Sequence, residues 1–325
     1  MILGSPPPFD PELDGPLRDI LAELPPLSFE TIADRRAGTE RSGLSDDDIR
    51  RGGAFTVEWR TVAGFGGSPE VRLLICRPAA APGPSPVIYN IHGGGMVAGD
   101  ARCADLDGEL RRAQELGMAV VAVEYRLAPE HPDPIPLEDC YAALEYIAEH
   151  GDTLGLDSGR IVVSGNSAGG GLAAGIALLA RDRGRVRLIG QMLQCPMLDD
   201  RCDTVSATQM ENVGLWNTAS NRTGWTALLG DRRGGAEVSG YTAPARATDL
   251  AGLPPAFIDV GGVESLRDEA MIYAMELSRA GVPTELHVWA GAFHSFDQWV
   301  PGAAVSQAAE SARASWLRRT LRQAR

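Results

Sequence analysis

The chain has 325 residues, is 44% hydrophobic and 22% charged, and carries 30 basic against 43 acidic side chains for a net charge of −13. That composition suits a folded globular protein, and its negative balance repels phosphate backbones and anionic lipid, so neither nucleic acid nor membrane is an expected partner. Every basic residue is arginine, which excludes Schiff-base, pyridoxal and phosphate-loop lysine chemistry, because a guanidinium stays protonated.

The first fifty residues are rich in proline and acid, with Leu13, Leu17, Ile20, Leu21 and Leu24 at helical spacing; short helices packed on another element are expected over 1–50. From Val57 the texture changes to short apolar runs at Val57–Ala63, Val71–Arg77, Val87–Ile91, Ala119–Tyr125, Ile161–Ser164, Leu188–Gln194, Ala256–Val260 and Glu285–Trp289. The first two flank the Gly64–Pro69 turn and read as a hairpin. The later ones alternate with helical patterns at Asp105–Leu116, Leu137–His150, Ala168–Arg181, Glu264–Ala280 and Val305–Arg322. Such alternation predicts an α/β fold, an eight-stranded mostly parallel sheet flanked by helices. Over 201–240 the alternation stops, and Met210, Leu215, Trp216, Trp225 and Leu228 make that stretch too apolar for a plain loop. Residues 51–200 and 241–325 are therefore expected to form the catalytic core. The 1–50 and 201–240 segments are expected to cap the carboxyl edge of its sheet, where ligands bind in open parallel sheets.

Ser167 lies in Gly165-Asn166-Ser167-Ala168-Gly169, between an apolar strand and a helix of small residues. A GxSxG in that context is a nucleophile elbow, whose glycines allow a sharp turn and leave the hydroxyl exposed at the sheet edge. His92-Gly93-Gly94-Gly95 follows another strand, and consecutive glycines there expose backbone N–H groups able to stabilise an oxyanion. His294 follows the last strand and is the expected base, and the acid should precede it in chain order. Five cysteines, Cys76, Cys103, Cys140, Cys195 and Cys202, contain no CxxC pair; they read as buried free thiols, with no metal cluster and no cofactor. Met1 to Asp10 has neither a basic start nor a long apolar run, so no export signal is expected and the default compartment is the cytoplasm.

With these motifs the chain resembles the hormone-sensitive-lipase-like family of α/β hydrolases, esterases marked by HGGG and GDSAGG. The likeness extends to Tyr125-Arg126-Leu127-Ala128-Pro129-Glu130-His131-Pro132, to Leu137-Glu138-Asp139 and to Leu266-Arg267-Asp268-Glu269. It implies the α/β-hydrolase fold with a helical cap and hydrolysis of short- to medium-chain carboxylic esters by a Ser-His-acid triad. Glu264 stands where the family has aspartate, with Asp259 and Asp268 as rival carboxylates; Asn166 replaces the usual aspartate or threonine, and Met96 a common aromatic. Glutamate is adequate, since the acid only orients the histidine and stabilises its imidazolium.

The site expected from sequence is thus Ser167, His294 and Glu264, with oxyanion donors among Gly93, Gly94, Gly95 and Ala168; the resemblance favours Gly94 and Gly95. Met96, Asn166, Met210, Leu215, Trp216 and Phe293 are expected to line a small-molecule ester pocket. His92 reads as a residue that shapes its loop, His287 as a packed or surface strand residue, His131 as part of a proline-rich stretch, and His150 as a helix end where a cation suits the macrodipole. An amidase or deacetylase, a lactone hydrolase, and a non-enzymatic small-molecule receptor on the same fold are the alternatives, since the acyl-transfer constellation is shared. The resemblance also implies a homodimer through Glu285–Trp289 or Val305–Arg322.

Overall fold

The β-branched runs become strands because their side chains fit a pleated, two-sided core. The computed structural model describes residues 4–324. Its strands are β1 (Phe55–Val62), β2 (Val71–Pro78), β3 (Ser85–Ile91), β4 (Ala119–Glu124), β5 (Leu156–Asn166), β6 (Leu188–Gln194), β7 (Ala256–Gly261) and β8 (Thr284–Trp289). They form one sheet in the order β1-β2-β4-β3-β5-β6-β7-β8. β1 and β2 make the expected antiparallel hairpin, with Val62 opposite Val71, and β2 also runs antiparallel to β4. Every later pairing is parallel.

Eleven α-helices lie among the described residues: α1 (Pro11–Glu23), α2 (Ile32–Ser42), α3 (Asp46–Arg50), α4 (Asp105–Leu116), α5 (Ile135–Leu154), α6 (Ala168–Arg183), α7 (Val205–Gln209), α8 (Thr218–Leu229), α9 (Arg267–Arg279), α10 (Phe296–Trp299) and α11 (Ala304–Gln323). Alternate strand residues feed two cores. Leu73, Ile75, Tyr89, Val121 and Val163 pack with α5, α6 and α9 through Leu144, Ile176 and Leu277, whereas Leu74, Cys76, Ile88, Val120 and Val162 pack with α4 and α11 through Leu110 and Leu317. None of the helices is long and apolar enough to cross a membrane.

Two boundaries differ from the sequence expectation in ways that matter for the site. β5 starts at Leu156 rather than Ile161, and α9 starts at Arg267 rather than Glu264. The second shift arises because the Val263 N–H bonds Ala292 O at 2.9 Å, which holds Glu264 in a loop facing the segment after β8. Helix α1 is capped by Asp10, whose side chain accepts the Glu12 N–H at 2.8 Å, as an Asp N-cap followed by Pro11 predicts. Only Leu13 and Leu17 of its apolar stripe are buried, and they pack on Phe293 and Phe296. Each such burial stabilises by about 2 kcal/mol, and the Asp10 N–H bonds Gly291 O at 2.9 Å. The amino-terminal helix thereby braces the loop that carries His294.

Candidate active site

Parallel strands deliver their carboxyl ends to one edge, and the site is assembled there. Ser167 sits between β5 and α6 with φ 56 and ψ −117, a strained conformation held from both sides. Its N–H bonds Gln194 O at 2.8 Å, and its carbonyl accepts the Met197 N–H at 2.9 Å. Gly169 is obligatory for this turn, since a Cβ there would lie 1.9 Å from Ile91 O.

Ser167, His294 and Glu264 converge as one hydrogen-bonded chain. Ser167 Oγ lies 2.9 Å from His294 Nε2, and His294 Nδ1 lies 3.0 Å from Glu264 Oε2. With the Nδ1 proton assigned toward the carboxylate, Nε2 is left to accept the serine hydrogen. All three are buried. Burial disfavours a charged imidazole, but Cys195 and Glu264 beside it favour the imidazolium more strongly, so the His294 pKa stands above its ordinary value. Burial also raises the Glu264 carboxyl, and His294 opposes that rise.

The rival acids are engaged elsewhere. Asp259 Oδ2 accepts from Arg313 Nε at 2.9 Å and Trp289 Nε1 at 3.1 Å, while Asp268 accepts the Ser206 N–H at 2.8 Å. His92 stacks on Tyr125 at 4.2 Å and its Nδ1 lies 2.8 Å from Gly93 O; burial brings its pKa down to about 4, the character of a neutral loop-shaping residue. His287 pairs with Glu285 on β8, and His150 Nδ1 lies 3.0 Å from Tyr146 O. Neither reaches the site.

Of the glycine run, Gly93 is corrected as a candidate donor: its N–H bonds Asp105 Oδ2 at 3.1 Å. Gly94 and Gly95 take φ of 108° and 64°, and among the described residues their N–H groups have no partner. The Gly94 carbonyl accepts from Val97 and Ala98 at 3.2 and 3.1 Å, which fixes the loop. Ala168 opens α6, so its N–H is one of the unpaired donors at a helix start.

A cavity of about 780 Å³ opens over Ser167 and His294, lined on one side by Gly93, Gly94 and Asn166 and on the other by Leu24, Leu27, Thr31, Arg35, Leu215 and Trp216. Trp216 lies 6.0 Å from the His294 ring and covers Gly95, where a Cβ would meet it at 2.5 Å. Leu215, Trp216 and Asn166 line the cavity. Met96, Met210 and Phe293 are corrections: all three are buried in packing away from the cavity wall. Met96 has φ 62 and turns into the main core, while Phe293 packs on Leu13 and Leu17. Asn166 supports the elbow, since its Oδ1 accepts from Ser295 Oγ at 3.1 Å and its Nδ2 donates to Cys195 Sγ at 3.3 Å. Sequence reasoning missed Asp105 and Cys195 as neighbours of the site, because each arrives through tertiary structure with no local motif, and it missed Ser295, which directly follows His294 but shows its bond to Asn166 only in the fold. All five cysteines are buried and free, as expected.

This architecture and site define an α/β hydrolase with a serine at its elbow. Residues 88–298 match the family model described as the alpha/beta hydrolase fold, and the chain belongs to that family, among its hormone-sensitive-lipase-like carboxylesterases. The chain is 40% identical to esterase LipI of Mycobacterium tuberculosis, over 62% of this chain and 63% of that protein. It is 37% identical to carboxylesterase NlhH of the same organism, over 71% and 72%. The match thus spans just under two thirds of LipI and somewhat more of NlhH. Among solved structures, a bacterial heroin esterase superposes with a TM-score of 0.87 at 42% identity, covering 96% of this chain and 98% of that one. An esterase of the archaeon Pyrobaculum calidifontis gives 0.85 at 32% identity, over 97% and 99%.

Proposed function

We propose that the chain is a serine carboxylesterase that cleaves short- to medium-chain acyl esters through an acyl-enzyme. The observation that carries this reading is the continuous hydrogen-bonded chain from Ser167 Oγ through His294 to Glu264. Ser167 Oγ attacks the ester carbonyl while His294 Nε2 takes its proton, and Glu264 stabilises the resulting imidazolium. The oxyanion is bound by the N–H groups of Gly94, Gly95 and Ala168, each contributing about 3 kcal/mol to the transition state. Collapse expels the alcohol, which receives the proton from His294. Water, deprotonated by the same nitrogen, then releases the carboxylic acid.

Residues 1–50 and 201–240 serve as the cap on a core made by 51–200 and 241–325; the support is that Leu24, Leu27, Thr31, Leu215 and Trp216 all line the cavity. Trp216, close over Gly95, sets the acyl limit by occupying the space a long chain would need. A receptor role is disfavoured, since a binding pocket has no use for a buried imidazole bonded to both a serine and a carboxylate. Two copies associate along β8, an edge strand on which Leu286 and Val288 are exposed; light scattering that gives a monomer at all concentrations ends that part of the reading. The main test is hydrolysis of p-nitrophenyl esters from acetate to palmitate by the wild type and Ser167→Ala. Turnover peaking at short chains and abolished by the substitution is expected, whereas inactivity of a folded wild type on every ester contradicts the reading.

A further inference from the structure

We propose that Cys195, His294 and Glu264 form an inhibitory site for a thiophilic divalent cation, zinc or cadmium, at the heart of the catalytic centre. One ligand atom from each of the three lies within 4.8 Å of the others, and all three residues are buried. Tetrahedral zinc with ordinary Zn–S, Zn–N and Zn–O lengths holds its donors about 3.3–3.6 Å apart, so side-chain adjustments of about an ångström close the set. Thiolate, imidazole and carboxylate together suit zinc or cadmium rather than calcium or magnesium.

A second observation points the same way. Glu264 Oε1 is buried, and among the described residues it accepts no hydrogen bond, although a buried carboxylate oxygen without a partner is costly. A cation beside it removes that cost. The sulfur is held in place: Asn166 Nδ2 donates to Cys195 Sγ at 3.3 Å, Cys195 Sγ lies 3.5 Å from Ser295 Oγ, and Ser295 Oγ donates to Asn166 Oδ1 at 3.1 Å. Ser167, Asn166, His294 and Ser295 all line the cavity, which gives the ion its way in, and water completes the fourth position.

Charge and protons balance. The dication meets one thiolate and one carboxylate, so the buried cluster becomes neutral. One proton, from the thiol, leaves to solvent. A cation shared by Glu264 and His294 takes Nδ1, the nitrogen that faces the carboxylate, and the ring proton moves to Nε2. Nε2 then has no lone pair for the Ser167 proton, so the nucleophile is not activated while the ion is bound.

Binding itself needs no turnover; only the inhibitory consequence rests on the esterase reading above. The test titrates Cd²⁺ into the metal-free full chain while following the ultraviolet absorbance of a Cd–thiolate, and Zn²⁺ into a p-nitrophenyl acetate assay. One Cd–thiolate per chain is expected, with turnover lost in Zn²⁺ and both effects reversed by EDTA. Ser167→Ala keeps the absorbance. Cys195→Ser and Cys195→Ala lose it, and half-inhibition, measured against each protein's own metal-free rate, moves up at least about tenfold, the scale on which metal sites respond to lost contacts. Should both cysteine variants fail to fold, Glu264→Gln weakens Cd²⁺ binding about tenfold instead, because a neutral amide leaves the charge unbalanced. Absence of the band in the wild type, or a band and inhibition that persist in folded Cys195 variants, overturns the proposal. A wild type that binds Cd²⁺ through Cys195 yet cleaves no ester sinks the esterase reading and leaves the metal site standing.

Discussion

The two walls of the cavity are built by different rules. On the sheet side, Gly93, Gly94, Ser167 and His294 line the cavity and, with Glu264 behind His294, sit within a few residues of a strand end, where backbone ladders dictate position. On the covering side, Leu24, Leu27, Thr31 and Trp216 come from helices and loops that are placed only by what they pack against. The contrast teaches where tolerance lies: on the function proposed above, the first wall fixes the reacting geometry and the second sets what fits.

The largest effect should follow from removing the nucleophile. Ser167→Ala is expected to lower kcat by at least about 10⁴-fold, the scale of losing a triad member, without changing folding, and steady-state kinetics with p-nitrophenyl acetate check it. Next comes the backbone that shapes the sheet-side wall. Gly169→Ala puts a Cβ against Ile91 O, so a loss of about 3 kcal/mol or more of stability is expected in denaturant unfolding. On the covering wall, Trp216→Ala should leave the acetate rate within about tenfold while raising the relative kcat/KM for octanoate by about 10- to 100-fold, since each added methylene is worth about a kilocalorie in a pocket. Equal loss for all chain lengths would remove the distinction between the walls.

The smallest effect concerns pH. A base must be neutral to accept a proton, and the His294 pKa is raised. The acid limb of kcat/KM should therefore lie above the ordinary imidazole value of about 6.5. Because the Glu264 carboxylate contributes to that rise, Glu264→Gln should move the limb to lower pH, and a profile that stays in place would contradict that contribution.

The same division explains what the sequence made legible. The eight strands, the elbow serine and the histidine after the last strand could be read because periodicity, glycine spacing and chain order are local signals. Glu264 was legible as the position matching the family acid, although its helix was expected to begin three residues too early, a boundary decided by the Val263–Ala292 hydrogen bond. Met96 and Phe293 were misassigned because adjacency to HGGG or to His294 does not say which way a side chain turns. Gly93 was left open because its partner, Asp105, lies twelve residues away. Cys195 carries no motif at all; its closeness to Glu264 and His294 comes from the neighbouring positions of β6 and β7 in the sheet.

The identity of the acid tests the arrangement most directly, since Glu264, Asp259 and Asp268 compete for the role in sequence but only Glu264 meets His294. Glu264→Gln and Asp268→Asn should be compared in kcat for p-nitrophenyl acetate at a pH above the acid limb. The account predicts a fall of about 10³- to 10⁴-fold for Glu264→Gln, as when a triad acid is replaced by its amide, and a change in kcat within about threefold for Asp268→Asn, since that half-buried carboxylate is bonded to Ser206 and Arg267 rather than to His294. A large loss in Asp268→Asn with Glu264→Gln near the wild-type rate would contradict it.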